Sequence, residues 1–221
     1  MSSRFQGTAQ WINARIGKLT ASRAYPVIAR TRQGKKYADW ERLMREIVQE
    51  RLTLLPADHG TTSAMQWGID HEDEARGEYE LATGRLVHDA PFVEHPMLAG
   101  LGASPDGYVG RDGLIEIKCP NSGAHLERLE AGTVPPEYVP QMLVQCLCTG
   151  RKWVDFVDYD PRIDDAFAPL RLFIIRYTPT AEELQEALDR CREFLEEVDR
   201  RMARYRARCA SARPASLSPN F

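Results

Sequence analysis

The 221-residue chain has little cysteine and no paired thiols. Its five cysteines (Cys119, Cys146, Cys148, Cys191 and Cys209) contain no Cys-x-x-Cys step. A zinc knot is therefore set aside, and free, packed thiols in a reducing cytoplasm are expected. The five histidines show no metal-ligand spacing either. No apolar run approaches the roughly 20 residues a membrane-spanning helix needs, so no membrane partner is expected. Residues 1–6 lack the apolar core of a secretory signal, so export is not expected and the cytoplasm is the anticipated location. Internal repeats and an interior linker are also missing. One α/β domain over residues 1–210 is expected, followed by a frayed, Ser- and Pro-containing tail at 211–221.

Net positive charge is lacking too, the formal value being −3. Spread evenly, that balance argues against a polyanionic partner. It is not spread evenly: residues 1–36 carry eight Lys and Arg and no acid. Trp11, Ile12, Ile16, Leu19, Val27 and Ile28 thread through this segment, which marks it as folded rather than as a loose basic arm. A nucleic acid would meet this local field, whatever the total.

What the chain does have is Ser104-Pro105-Asp106-Gly107, followed by Leu114-Ile115-Glu116-Ile117-Lys118-Cys119-Pro120. Alternate side chains of a strand share a face. Glu116 and Lys118 then point one way and Ile115 and Ile117 the other. A hairpin through Gly107, Gly110 and Gly113 brings Asp106 back beside Glu116. Two carboxylates suit a hard, oxygen-seeking cation such as Mg²⁺, with the ammonium beside them to position or deprotonate a water. An ordinary surface hairpin with a Glu/Lys pair fits the bare pattern equally well.

Around this centre the periodicity predicts helices over 22–30, 39–55, 61–83, 122–131, 137–148 and 180–209, with a first ordered element at 8–14. Strands are predicted near 86–87, 92–94, 98–103, 107–109, 114–118, 153–159 and 170–177. The expected fold is thus a central mixed β-sheet flanked by helices, closed by a long C-terminal helix. Glu72, in the acidic run of the 61–83 helix, is either a solvated face residue or a third carboxylate for metal. Gln141 sits among apolar helix residues, where it either caps a strand or orients Lys118 and the attacking water. Gln145, one turn on, is a weaker candidate for the same shell. Arg15, Ser22 and Ser104 together offer guanidinium and hydroxyl donors for a terminal phosphate, although Ser22 alone reads as a helix cap and Ser104 as a turn residue.

Taken in order, several segments resemble the phage lambda-type exonucleases, the YqaJ-like viral recombinase family of the restriction-endonuclease-like superfamily. They are residues 11–22 (Trp-Ile-Asn-Ala-Arg-Ile-Gly-Lys-Leu-Thr-Ala-Ser), the Gly34-Lys35-Lys36 loop and Trp67-Gly68 with Glu72. Ser104-Pro105-Asp106-Gly107, Glu116-Ile117-Lys118-Cys119-Pro120, Tyr138-Val139-Pro140-Gln141 and Asp158-Tyr159-Asp160-Pro161-Arg162 complete the set. The resemblance covers about residues 8–165. It implies a restriction-endonuclease-like fold and an exonuclease that digests one strand of linear double-stranded DNA from its 5′ end, leaving 3′ overhangs for recombination. It further implies two Mg²⁺ ions, replaceable by Mn²⁺, a homotrimeric ring around the DNA, a single-strand annealing partner and a phage setting. By motif, Asp106, Glu116 and the Ile117 carbonyl bind metal, Glu72 serves the second ion, Lys118 activates water and Gln141 supports it. Arg15, Ser22 and Ser104 take the 5′-phosphate, and Arg32 contacts the DNA end. The rival expectations are an endonuclease or resolvase of the same fold, and a non-catalytic DNA-end-binding accessory protein.

Overall fold

The computed structural model describes residues 7–31, 33–57, 60 and 62–212. Arg32, expected at the DNA end, and residues 213–221 of the expected tail lie outside the described residues.

Helix α1 (Ala9–Arg15) starts under a Thr8 cap and ends at a turn through Gly17, whose φ of +70° favours glycine. A Cβ there would lie 2.6 Å from Arg51 Cγ, and the Gly17 N–H donates to buried Glu50. The turn leads into strand β1 (Leu19–Thr20). The helix expected over 22–30 is instead a 3-10 turn (Ala21–Arg23) followed by the short helix α2 (Tyr25–Ile28). Pro26 explains the break, because a residue without an N–H is at home in the first turn of a new helix and not inside an old one. Helices α3 (Asp39–Thr53) and α4 (Ser63–Thr83) follow.

The β region comprises β2 (Val87–His88), β3 (Val93–Glu94), β4 (Leu101–Ala103), β5 (Gly107–Val109), β6 (Gly113–Lys118), β7 (Trp153–Tyr159) and β8 (Leu172–Tyr177). Helices α5 (Ser122–Ala131) and α6 (Val139–Thr149) connect β6 to β7, and α7 (Ala181–Ala212) closes the fold. Helix α7 continues to Ala212, two residues into the stretch expected to fray.

The expected mixed sheet is present, with strand order β2-β5-β6-β7-β8, and only β6–β7 is parallel. A second, three-stranded sheet, β1-β4-β3, was not expected. Its strands of two or three residues are too short to show alternation. Its parallel register pairs Thr20 with Gly102. Ser22, in the 3-10 turn, and Ser104 each lie two residues beyond that pair.

Leu19, Leu101, Met44, Ile47, Cys191, Phe194 and Val198 bury one apolar body among α2, α3, α7 and the small sheet. A second forms where Ala75 and Tyr79 of α4 meet Val109, Ile115 and Ile117. On the opposite face of the large sheet, Leu114, Val154 and Phe156 pack against Met142 and Cys146 of α6. At about 1.5–3 kcal/mol for each large apolar side chain, these layers clamp both faces of β6, the strand that carries Glu116 and Lys118. All five cysteines are free thiols; four are buried and Cys209 is exposed.

Candidate active site

The β5–β6 hairpin turns through Gly110 and pairs Gly107 with Ile115. Beyond that pair the two strands diverge, and Asp106 fills the gap. Its Oδ2 accepts the Ile117 N–H at 2.7 Å. Because a strand residue directs its N–H and C=O to the same edge, the Ile117 carbonyl opens toward Asp106 as well. Glu116 and Lys118 lie on the α6 face of the sheet, and Ile115 and Ile117 on the α4 face, as the alternation predicts.

Glu116 is completely buried and saturated with donors. Lys118 and Gln141 donate to Oε1, the latter at 2.6 Å, and Gln145 donates to Oε2 at 2.5 Å. Gln141 and Gln145 are one helical turn apart, which explains why both reach one carboxylate. Tyr138, whose role sequence reasoning missed, lays its ring 5.2 Å from the Lys118 ammonium and accepts from Arg128 at 3.0 Å.

The acids of the cluster disfavour one another's ionisation. Burial, then the neighbouring Glu116 and Glu72, push the Asp106 pKa well above the usual carboxylate range. Burial likewise raises Glu72, which feels Arg76, Glu116 and Lys118. Burial works against the charge on Lys118, but Glu116 and Asp106 outweigh it and hold the ammonium protonated. Asp106, Glu116 and Glu72 thus feel one another electrostatically, and together with the Ile117 carbonyl the donors they offer are all hard oxygens. Among the described residues, no three Asp, Glu, His or Cys converge as a ready cage. Nuclease families of the kind the sequence resembles usually use a divalent metal, and the oxygens present are of the hard type such ions take. That donor set does not suit a zinc-type site.

Two residues before Asp106, Ser104 enters a different pocket. Its Oγ accepts from Arg15 Nη1 at 3.1 Å and from the Trp11 indole at 2.9 Å. Arg15 Nη2 also donates to Ser22 at 3.1 Å and to Thr20 at 3.4 Å. The guanidinium lies over the Trp11 ring at 4.1 Å. Burial, followed by the nearby Arg23, lowers the Arg15 pKa to about 10. Arg23 is itself taken by Glu46 and Glu50. Arg15 is therefore a half-buried cation held by hydroxyls and an aromatic face, with no carboxylate among its hydrogen-bond partners.

The structure thus brings Arg15, Ser22 and Ser104 together, and Asp106, Glu116, Ile117, Lys118 and Gln141 together, with Glu72 within electrostatic reach. Sequence reasoning missed Trp11, Thr20, Tyr138 and Arg76. Each is identified only by a tertiary contact: Trp11 with Ser104, Thr20 with Arg15, Tyr138 with Lys118 and Arg76 with the Asp106 carbonyl.

No curated protein matches the chain. An alkaline exonuclease from Laribacter hongkongensis, LHK-Exo, is similar in structure, with TM-score 0.85 and 38% identity over 93% of this chain and 100% of that one. The same figures hold for its complex with dAMP. A phage-related exonuclease from Haemophilus somnus 129PT shares the fold, with TM-score 0.60 and 18% identity over 86% of this chain and 98% of that one. The model of the YqaJ-like viral recombinase domain matches residues 10–152, a span that holds both pockets, and the chain belongs to that family.

Proposed function

We propose that this protein is a deoxyribonuclease, a metal-dependent exonuclease that removes mononucleotides from the 5′ ends of linear duplex DNA and leaves 3′ overhangs. The observation that carries the reading is the adjacency of the two pockets through Ser104 and Asp106. Their α-carbons are at most about 7 Å apart along the chain, comparable to one nucleotide of DNA backbone. A terminal 5′-phosphate seated on Arg15, Ser22 and Ser104 places the next phosphodiester beside Asp106, Glu116 and Lys118. An endonuclease has no use for a pocket that recognises an end. The non-catalytic alternative gives no purpose to the buried Glu116–Lys118–Gln141 cluster.

Asp106, Glu116 and the Ile117 carbonyl would hold one divalent ion and Glu72 a second, Mg²⁺ in the first instance and Mn²⁺ as a substitute. Bound there, the pair would polarise the scissile phosphate and supply an activated water at neutral pH. Lys118, a fixed donor, orients the attacking water and balances charge developing on phosphorus. Gln141 and Gln145 keep Glu116 from rotating away. Tyr138 holds the Lys118 ammonium over its ring and so limits its swing.

The alkaline exonuclease relative and its dAMP complex support the mononucleotide product. The proposal extends to what the resemblance implies: a homotrimeric ring, a single-strand annealing partner, a role in recombination and a phage origin; a cytoplasmic setting is proposed beside them. Among the described residues no helix is long and apolar enough to cross a membrane. The test is digestion of linear and covalently closed circular duplex side by side, with Mg²⁺ and with EDTA. Loss of the linear form alone, abolished by EDTA, supports the proposal; a cut circle assigns the protein to the endonucleases.

A further inference from the structure

Arg76 stands one helical turn after Glu72 on α4, so both side chains rise from one face. Its guanidinium leaves the helix in two directions. Nη2 donates to the main-chain carbonyl of Asp106 at 2.6 Å. Nη1 donates to Oδ1 of Asp89, between β2 and β3, at 2.9 Å. The side chain is only 12% exposed, and its Nε is buried with no hydrogen-bond partner. Leaving a buried charged donor unmet is costly. The fork accepts that cost in an orientation that reaches a backbone oxygen and not a second carboxylate.

The consequence lies in what Arg76 joins. Glu72 and Asp106 come from elements that share no ladder. Helix α4 meets the sheet through the side chains of Ala75 and Tyr79, and Tyr79–Asp155, Glu74–Tyr159 and Glu80–Val87 bonds tie it to β7 and β2; the bond that reaches Asp106 itself comes from Arg76. The Asp106 carboxylate is already fixed from the β6 side by the Ile117 N–H. Arg76 fixes its main chain from the α4 side, and Asp89 sets the plane of the fork. We infer that Arg76 is a positioning residue that sets the separation of the Glu72 and Asp106 carboxylates, and with it their fitness to hold divalent cations. The inference rests on the proposed reading of those carboxylates as metal ligands.

The test uses the full chain with Arg76→Lys, which keeps the charge and loses the fork, Arg76→Gln, which loses both, and Asp89→Asn, which only loosens the grip. Mn²⁺ binding to the DNA-free protein is read by electron paramagnetic resonance, beside the Mg²⁺ dependence of DNA cleavage. Outer-shell partners of metal ligands are typically worth about 10- to 100-fold in affinity. Both Arg76 variants should therefore bind Mn²⁺ at least about tenfold more weakly, and Asp89→Asn should show a smaller loss in the same direction. The Mg²⁺ concentration for half-maximal cleavage should rise in step, with KM for DNA unchanged and the rate largely restored at high Mg²⁺. A merely structural role lowers the melting temperature and the active fraction at every Mg²⁺ concentration and leaves the Mn²⁺ affinity of the folded protein alone. That pattern, or wild-type Mn²⁺ affinity in a folded Arg76→Lys, overturns the inference. Glu72→Gln and Asp106→Asn separate the two failures. If they lose Mn²⁺ and the Arg76 variants do not, only the positioning role falls; if they keep it, the ligand reading falls and takes the positioning role with it.

Discussion

Replacing Arg15 by alanine removes the cation that bonds Ser104 and Ser22, the proposed 5′-phosphate site, without touching Asp106 two residues beyond Ser104. In the structure its guanidinium spans Ser104, Ser22 and Thr20 and has no carboxylate of its own among its hydrogen-bond partners. Its charge is thus available to a phosphate. A hydrogen bond to a charged group is worth about 1.5–3 kcal/mol, and each 1.4 kcal/mol is about tenfold. Arg15→Ala should lower kcat/KM on 5′-phosphorylated duplex about 10- to 150-fold. On duplex with a 5′-hydroxyl the same change should have little effect, so the preference of the wild type for phosphorylated ends should collapse toward unity. Arg15→Lys should fall between, because a single ammonium does not reach three hydroxyls at once. The assay is initial-rate digestion of matched duplexes differing only in the 5′ group. An undiminished phosphate preference in Arg15→Ala, with the protein folded, refutes the pocket.

Three further outcomes are expected. Lys118→Ala should bind DNA normally in a gel-shift assay while its turnover falls by at least about 10²-fold, the scale of a lost charge-stabilising donor; near-normal cleavage removes Lys118 from the reaction. His125 is wholly buried with its ring nitrogens 2.5 Å from Asp158 Oδ1 and 2.7 Å from the Leu170 carbonyl, so only the imidazolium satisfies both. Burial opposes that charge, but Asp158 and the Leu170 carbonyl outweigh it and raise the pKa above 6.5; the stabilisation is full below about pH 6.5 and fades as pH climbs through the raised folded value. The melting-temperature gap between wild type and His125→Asn should accordingly shrink from pH 6 to pH 9, and a gap that widens refutes the charged pair. Gly113→Ala would put a Cβ 2.0 Å from the Trp153 ring, which Arg176 covers at 3.6 Å from the other partner strand. Overpacking of that kind costs about 1–3 kcal/mol, to be read as a lower urea midpoint.

Glu116 and Lys118 were legible in the sequence because a period of two needs no tertiary knowledge, and Asp106 because glycines mark the hairpin that returns it. The β7 strand and α5 were equally plain, each being bounded by a turn residue or an Asn cap and a Gly stop. Other features depend on contacts the local pattern does not encode. Arg76 sits in a charged helical run that reads as a solvated face, and its partner is the carbonyl of a residue 30 positions away. Thr20 gains its role only through the pairing of β1 with β4, two strands too short to announce themselves. The helix expected over 22–30 from a cap at Thr20-Ala21-Ser22 is broken because Pro26 starts a new helix instead of continuing one.

The most direct measurement is the identity of the first product from a duplex carrying a labelled 5′-phosphate on one strand, quenched after a single turnover in Mg²⁺. On the proposed reading a 5′-phosphate at Arg15, Ser22 and Ser104 puts the next phosphodiester at Asp106, Glu116 and Lys118, so the label should appear as a 5′-mononucleotide, with a label at the 3′ end still on long strands. A first product two or more nucleotides long, or earlier release of the 3′ label, would contradict that spacing and the polarity drawn from it.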